Sequence, residues 1–188
     1  GIDRAGLVGE DGETHHGVFD ISFLNSIPNM VICMGKDSEE IRNLLYTGFY
    51  KQENPFCIRY ERDSIEFNKS EFKELPVGTW EYLQKIKGCK STVISYGTDV
   101  QKLYEKLKDK NINIINARYI KPIDKNVLKE LIRTKQKIYI YEANIKNRSP
   151  YQTNKTLCIS ILKDLALREF HEYLHSHKAQ CFKYFERL

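Results

Sequence analysis

The chain has 188 residues, 41% hydrophobic and 12% aromatic, with a formal net charge of +5. This length allows one large or two small domains with a buried core, and the composition is that of an ordinary globular protein. No run of about 18 apolar residues occurs and basic residues alternate with acids, as in Glu105-Lys106-Leu107-Lys108-Asp109-Lys110, so neither a membrane nor a nucleic-acid partner is expected.

The chain opens at Gly1 in what reads as the end of a strand, with no signal segment, and a piece of a longer protein is expected. From Arg4 to Gly17 it runs Arg-Ala-Gly-Leu-Val-Gly-Glu-Asp-Gly-Glu-Thr-His-His-Gly, which holds four of the ten glycines and two of the five histidines. Glycine lets backbone adopt positive φ and approach a ligand closely. Asp11, His15 and His16 can hold a proton or bind a metal. Val18 to Leu24 forms a short helix ending before Pro28.

Met30-Val31-Ile32-Cys33-Met34 reads as a buried strand. Asp37 or Ser38 can cap the next helix, with Glu39 and Glu40 in its first turn and Ile41, Leu44, Leu45 and Phe49 on one face. Pro55 to Tyr60 is a second strand. Residues 63 to about 78 show no period and carry turn residues, as a linker does. Trp80 to Ile86 is a short strand, and Ser91 to Gly97 a strand ending at glycine. A helix follows from Asp99 to Lys110, then one strand from Ile112 to Ile120, stopped by Pro122. Asp124 caps a helix carrying Val127, Leu128, Leu131 and Ile132, and Lys137 to Glu142 is the last strand. From about Tyr151 to Leu174 the pattern is helical, with a second helix near the end. The expected fold class is α/β, two small domains with mainly parallel sheets.

Ile2-Asp3-Arg4-Ala5-Gly6-Leu7-Val8-Gly9-Glu10-Asp11-Gly12-Glu13-Thr14-His15-His16-Gly17-Val18-Phe19-Asp20, continuing through Ser26-Ile27-Pro28-Asn29-Met30, resembles the signature of the 1-deoxy-D-xylulose-5-phosphate synthase family of the transketolase superfamily. Ser95-Tyr96-Gly97-Thr98 and Asn116-Ala117-Arg118-Tyr119-Ile120-Lys121-Pro122-Ile123-Asp124 resemble its C-terminal domain. The resemblance implies the latter part of a pyrimidine-binding domain over residues 1–66, a linker over 67–78 and a transketolase-type C-terminal domain over 79–188. Past Glu142 it fades, because Ala143 to Ser149 lack the family's second acid and Gly-Gly turn.

The family enzyme loses CO2 from pyruvate on thiamine diphosphate and adds the two-carbon unit to glyceraldehyde 3-phosphate. The resemblance makes His15 a substrate-contacting residue with Asp11 its acidic neighbour, and makes Arg4 and Arg62 the phosphate anchors. It implies thiamine diphosphate and Mg2+ in a full enzyme and a homodimer. The diphosphate motif and the activating glutamate would lie upstream of Gly1, so no tight cofactor binding and no independent catalysis are expected of this chain alone. The family has proline where Glu61 stands and glycine where Asp63 stands, and these two acids flank Arg62 unfavourably for an anion.

Other readings stand beside this one. His171-Glu172-Tyr173-Leu174-His175 is a literal H-E-x-x-H, the zinc-hydrolase motif. Its third ligand is missing, since His177 is too near on the same helix and Glu186 is the only carboxylate after His175. Glu10, Asp11, His15 and His16 together make a candidate metal set. A diverged, non-catalytic lobe for dimerisation or partner binding is a further alternative. Cys33, Cys57, Cys89, Cys158 and Cys181 contain no C-x-x-C pair, which favours free thiols in a reducing cytoplasm.

Overall fold

A computed structural model describes residues 1–9, 11–67 and 69–141. Glu10, the Ala143–Ser149 turn, the helices expected after Pro150 and the His171–His175 motif lie outside the described residues. The elements are a 3-10 turn Glu13–His15, α1 (Asp20–Asn25), β1 (Val31–Met34), α2 (Ser38–Tyr50), β2 (Phe56–Arg59), β3 (Glu81–Gln84), β4 (Ser91–Ser95), α3 (Asp99–Leu107), β5 (Asn113–Asn116), β6 (Tyr119–Lys121), α4 (Lys125–Arg133) and β7 (Lys137–Ile140). No helix among the described residues is long and apolar enough to cross a membrane.

The strands form two mixed sheets, of order β2-β1-β6 and β3-β5-β4-β7. β1 with β2, β4 with β5, and β4 with β7 are parallel, while β6 and β3 are antiparallel edge strands. The architecture is therefore α/β with mainly parallel pairing. In the second sheet, α3 covers a core of Val93, Val100, Leu103, Leu107 and Ile114. α4 covers Trp80, Ile94, Ile115, Leu128 and Leu131. Helices over two cores of a sheet that alternates β and α are the doubly wound solution to burying it.

Helix starts follow local chemistry. The Asp37 carboxylate accepts from the Glu40 N–H at 2.8 Å, and that of Asp124 accepts from Asn126 and Val127 at 2.9 and 3.0 Å. The second Asp124 oxygen accepts from the Trp80 N–H at 2.9 Å, so this cap also fastens the strand leading to β3.

Two expectations need correction. The strand expected over Ile112–Ile120 is two strands in different sheets. It breaks at Ala117–Arg118, where the Arg118 carbonyl accepts from the Met34 N–H at 2.9 Å. β6 then crosses to pair with β1, placing Tyr119 in the first core beside Phe56. Residues 119–121 thus lie inside the expected second domain in sequence but belong to the first sheet. Apolar pattern alone cannot say which sheet a strand joins.

The apolar face of α2 also differs. Leu44 is buried and Ile41 half-buried, but Leu45 and Phe49 face water. The polar residues Asn43 and Thr47 are buried instead, because they bind the extended segment 63–78. The Lys73 N–H donates to Asn43 and the Leu75 N–H to the Thr47 hydroxyl, each at 2.9 Å. Ser38 donates to the Glu66 carbonyl at 2.6 Å. The described residues of that segment form no helix or strand, yet they make a strap fastened along α2.

The sheets meet at a polar junction. Glu40, 3% exposed at its side chain, accepts from the Lys36 N–H at 2.8 Å, from Asn116 at 2.9 Å and from Arg118 at 3.3 Å. Burial opposes the Lys36 charge, but Glu40, Glu81 and Asp37 around it prevail and raise its pKa. A charge this buried is tolerated because every partner is in place.

Candidate active-site loop

Residues Ile2 to Ala5 run beside β2. The Ile2 N–H donates to the Ile58 carbonyl at 2.9 Å, the Tyr60 N–H to Ile2 at 3.0 Å and the Ala5 N–H to Tyr60 at 3.0 Å. The chain then leaves the sheet edge as a loop that closes on itself at Gly17. The Gly17 N–H is shared between the Arg4 and Gly6 carbonyls at 3.1 and 2.9 Å, and the Gly6 N–H returns to Gly17 at 3.2 Å. A Cβ on Gly17 would lie 2.4 Å from the Arg4 carbonyl and 2.9 Å from Asp20. Gly17→Ala is expected to cost about 1–3 kcal/mol, as overpacking does, and a lowered urea midpoint would register it. A midpoint equal to the parent's would mean that the neck is not this tight.

Beneath the neck sits a charged pair that local sequence pattern does not reveal. Arg59, 1% exposed, donates from Nε to Asp20 at 3.1 Å and from Nη2 to the Gly17 carbonyl at 3.2 Å. Its remaining nitrogen faces the Met34 sulfur at 3.8 Å. One guanidinium thus ties β2, the start of α1, the loop neck and β1 together. The only sequence signal is a basic residue closing the otherwise apolar run Phe56-Cys57-Ile58.

The loop brings three of the four expected site residues together. Arg4, with φ of 61°, donates from Nε to Asp11 at 2.7 Å, and Arg62 donates to the other Asp11 oxygen. Asp3 also pairs with Arg4. The Arg4 hydrogen bond, with the Arg62 charge behind it, holds the Asp11 carboxyl below the usual carboxylate range. The same bond raises Arg4. A lowered carboxyl pKa means that the pairing is complete above the ordinary carboxylate range and lost only as pH falls through the lowered value. A 13C titration of Asp11 is expected to show a midpoint below that of an unpaired aspartate, returning toward normal in Arg4→Met. An ordinary midpoint in the parent would remove the pairing.

His15 and His16 have different surroundings. His16 is half-buried, and its Nδ1 accepts from the Val8 N–H at 3.0 Å, which puts the proton of the neutral ring on Nε2. His15 is exposed at the end of the 3-10 turn, its Nδ1 3.1 Å from the Thr14 hydroxyl. Gly12, with φ of 86°, provides the turn from Asp11 into this segment, and the His15 N–H closes it on the Gly12 carbonyl at 3.2 Å. Among the described residues no group of three or more His, Cys, Asp or Glu is placed to hold a metal ion. Asp11 is engaged by two arginines and His16 by a backbone donor.

The two acids beside Arg62 do not point at its bond to Asp11. Glu61 accepts a hydrogen bond from Thr98 at the start of α3, across to the second sheet. Thr98 consequently does not cap α3 with its side chain. Asp63 accepts from the Ser64 N–H at 2.7 Å. Glu61, Thr98, Asp20 and Arg59 support the site without having been candidates for it.

Residues 1–67 match the transketolase pyrimidine-binding domain, and residues 78–150 match the transketolase C-terminal domain. The chain belongs to the transketolase family. Within it, the chain is similar to 1-deoxy-D-xylulose-5-phosphate synthases, which are transferases. It is 44% identical over 136 residues to that of Aquifex aeolicus (69% of this chain, 21% of the relative) and 44% identical over 153 residues to that of Listeria innocua (77% and 24%). The Bacillus velezensis synthase is 41% identical over 140 residues (70% and 22%). The chain therefore spans between about a fifth and a quarter of the length of these relatives. Among solved structures, a split-gene transketolase described as an inactive β4 tetramer superposes with TM-score 0.61 at 18% identity, over 80% of this chain and 50% of that one. The Leishmania mexicana transketolase gives 0.59 at 14% identity, over 76% and 22%. These two likenesses speak to the fold alone.

Proposed function

We propose that this chain is the C-terminal portion of a thiamine-diphosphate-dependent 1-deoxy-D-xylulose-5-phosphate synthase. The full enzyme would join pyruvate to glyceraldehyde 3-phosphate with loss of CO2, in the cytoplasm and as a homodimer. The observation that carries this reading is the convergence of Arg4 and Arg62, far apart in sequence, on one carboxylate beside the His15 turn. Two guanidinium groups directed at one small anion are suited to a phosphate. In this reading the substrate phosphate takes the place of the Asp11 carboxylate between them. His15, exposed on the same loop, holds or delivers the proton that a substrate oxygen needs. The carbanion chemistry is the cofactor's. In this reading thiamine diphosphate and Mg2+ are held by residues upstream of Gly1 in the full enzyme.

The test is a graft of residues 1–141 into the Listeria innocua synthase in place of its matching region. CO2 release dependent on pyruvate and glyceraldehyde 3-phosphate is expected. Arg62→Met in that graft should raise KM for glyceraldehyde 3-phosphate at least about tenfold, the loss of roughly one charge-assisted hydrogen bond. An unchanged KM would remove Arg62 from the phosphate site.

A second reading has its own support. Asp11 already occupies the space between the two arginines, where a substrate phosphate would have to sit. A folded graft without turnover would favour a lobe that serves assembly rather than chemistry.

A further inference from the structure

Arg62 has an acid on each side in sequence. A carboxylate next to an arginine can take it, as Asp3 takes Arg4 in this same site. Arg62 instead meets Asp11, 51 residues away. The two acids are therefore held aside. Asp63 folds back on its own turn and accepts from the Ser64 N–H at 2.7 Å. Glu61 is held from outside its segment. It is half-buried and accepts from the hydroxyl of Thr98 at the start of α3. A hydroxyl donating to a carboxylate makes a charge-assisted bond, stronger than a neutral one, and it occupies an oxygen that Arg62 would otherwise use.

The start of α3 is shaped for this reach. Gly97 has φ of 67°, and a Cβ there would lie 2.7 Å from the Met34 side chain, so glycine lets the chain turn close against the end of β1. Thr98 follows with φ of −62° and ψ of −21°, a helical conformation in which its side chain caps nothing in α3. One turn on, Gln101 donates to Asp37 at 3.4 Å, a second tie between α3 and the elements of the first sheet. Lys102 completes the set. Burial opposes its charge, but Asp99, Glu61 and Asp63 around it prevail and raise its pKa. Helix α3 thus presents both a hydroxyl and a cation to the acids beside Arg62.

We infer that Thr98 is a positioning residue for Arg62: by holding Glu61 to α3, it keeps the guanidinium free to meet an anion beside Arg4. That anion is the Asp11 carboxylate in this structure. That it is the substrate phosphate during turnover rests on the function proposed above. The second sheet, through the helix that follows β4, thereby sets how strongly a site on the first sheet holds an anion.

Two readouts test it. In the 188-residue chain, the 13C titration of Asp11 reports on Arg62 without any turnover. Thr98→Val frees Glu61 to pair with Arg62, so the Asp11 midpoint should rise toward that of an unpaired aspartate. The rise should be smaller than in Arg4→Met, because the Arg4 hydrogen bond is the larger cause of the lowered value. Thr98→Ser keeps the hydroxyl and should match the parent. In a Glu61→Gln background, Thr98→Val should cause no rise, since no charge is left to release. In the grafted synthase, Thr98→Val should raise KM for glyceraldehyde 3-phosphate between about two- and tenfold, the worth of one hydrogen bond given over to a competing acid, and should act on KM rather than kcat. Circular dichroism confirms that each variant is folded, and Thr98→Ala replaces Thr98→Val if valine prevents folding. An Asp11 midpoint unmoved by Thr98→Val would overturn the inference, as would a rise of the same size in the Glu61→Gln background. A midpoint that rises while KM stays at the parent's value would uphold the inference and remove the phosphate from Arg62 instead.

Discussion

Asp20→Ala is expected to destabilise the fold by about 3–5 kcal/mol, the range for breaking a buried ion pair from one side. Arg59 remains charged whatever its surroundings, and at 1% exposure it cannot turn to water when its partner is removed. The lost carboxylate leaves Nε without an acceptor, while Nη2 still holds the Gly17 carbonyl. Thermal unfolding should drop by roughly 6–20 °C for a domain of this size. The double change Asp20→Leu with Arg59→Met separates charge from packing. Replacing both partners by apolar side chains of similar volume should recover much of the loss. A single mutant within about 1 kcal/mol of the parent would show that water reaches Arg59. A double mutant no better than the single would show that packing, not charge, is what Asp20 provides.

The second large effect concerns turnover. In the grafted synthase, His15→Ala is expected to lower kcat by about 10²–10⁴, the usual contribution of a positioned acid or base. Folding should be unaffected, since the ring is exposed and its described hydrogen bond is to Thr14, its neighbour in sequence. The two site variants should differ in kind. His15→Ala should act on kcat, because a proton is moved in the transition state, and Arg62→Met mainly on KM, because the phosphate is held in the ground state as well. Normal turnover in His15→Ala would remove the histidine from the chemistry. His16→Ala should instead act through the loop, since His16 accepts the Val8 N–H.

Much of the fold was legible because its signals are local. Asp37 and Asp124 precede apolar periods of helical spacing, and each caps its helix as its position implies. The runs around Ile32, Ile94 and Ile138 are strands because β-branched residues bounded by turn residues favour a buried pleated backbone. The glycine-rich loop was legible for the same reason, since its many glycines mark backbone that folds back on itself. Phe49 was misread because helical spacing identifies an apolar face but not whether anything covers it. Asn43 and Thr47 were overlooked because polar side chains become core residues only when a strap brings backbone donors to them.

What the sequence by itself determined is the order of elements, their caps, and the loop whose residues carry the family resemblance. Each of these depends on neighbours within a few positions along the chain. Only the tertiary structure decided that Tyr119–Lys121 crosses to the first sheet, that Arg59 lies buried against Asp20 39 residues away, and that Asp11, paired with Arg4, also meets Arg62 51 residues further on. Those pairings are set by which charges and backbone groups remain unpaired once the cores have closed. For Arg59 that means a low-dielectric interior, in which an unpaired charge costs too much to persist, so the folded chain brings it to a partner that no local pattern links to it.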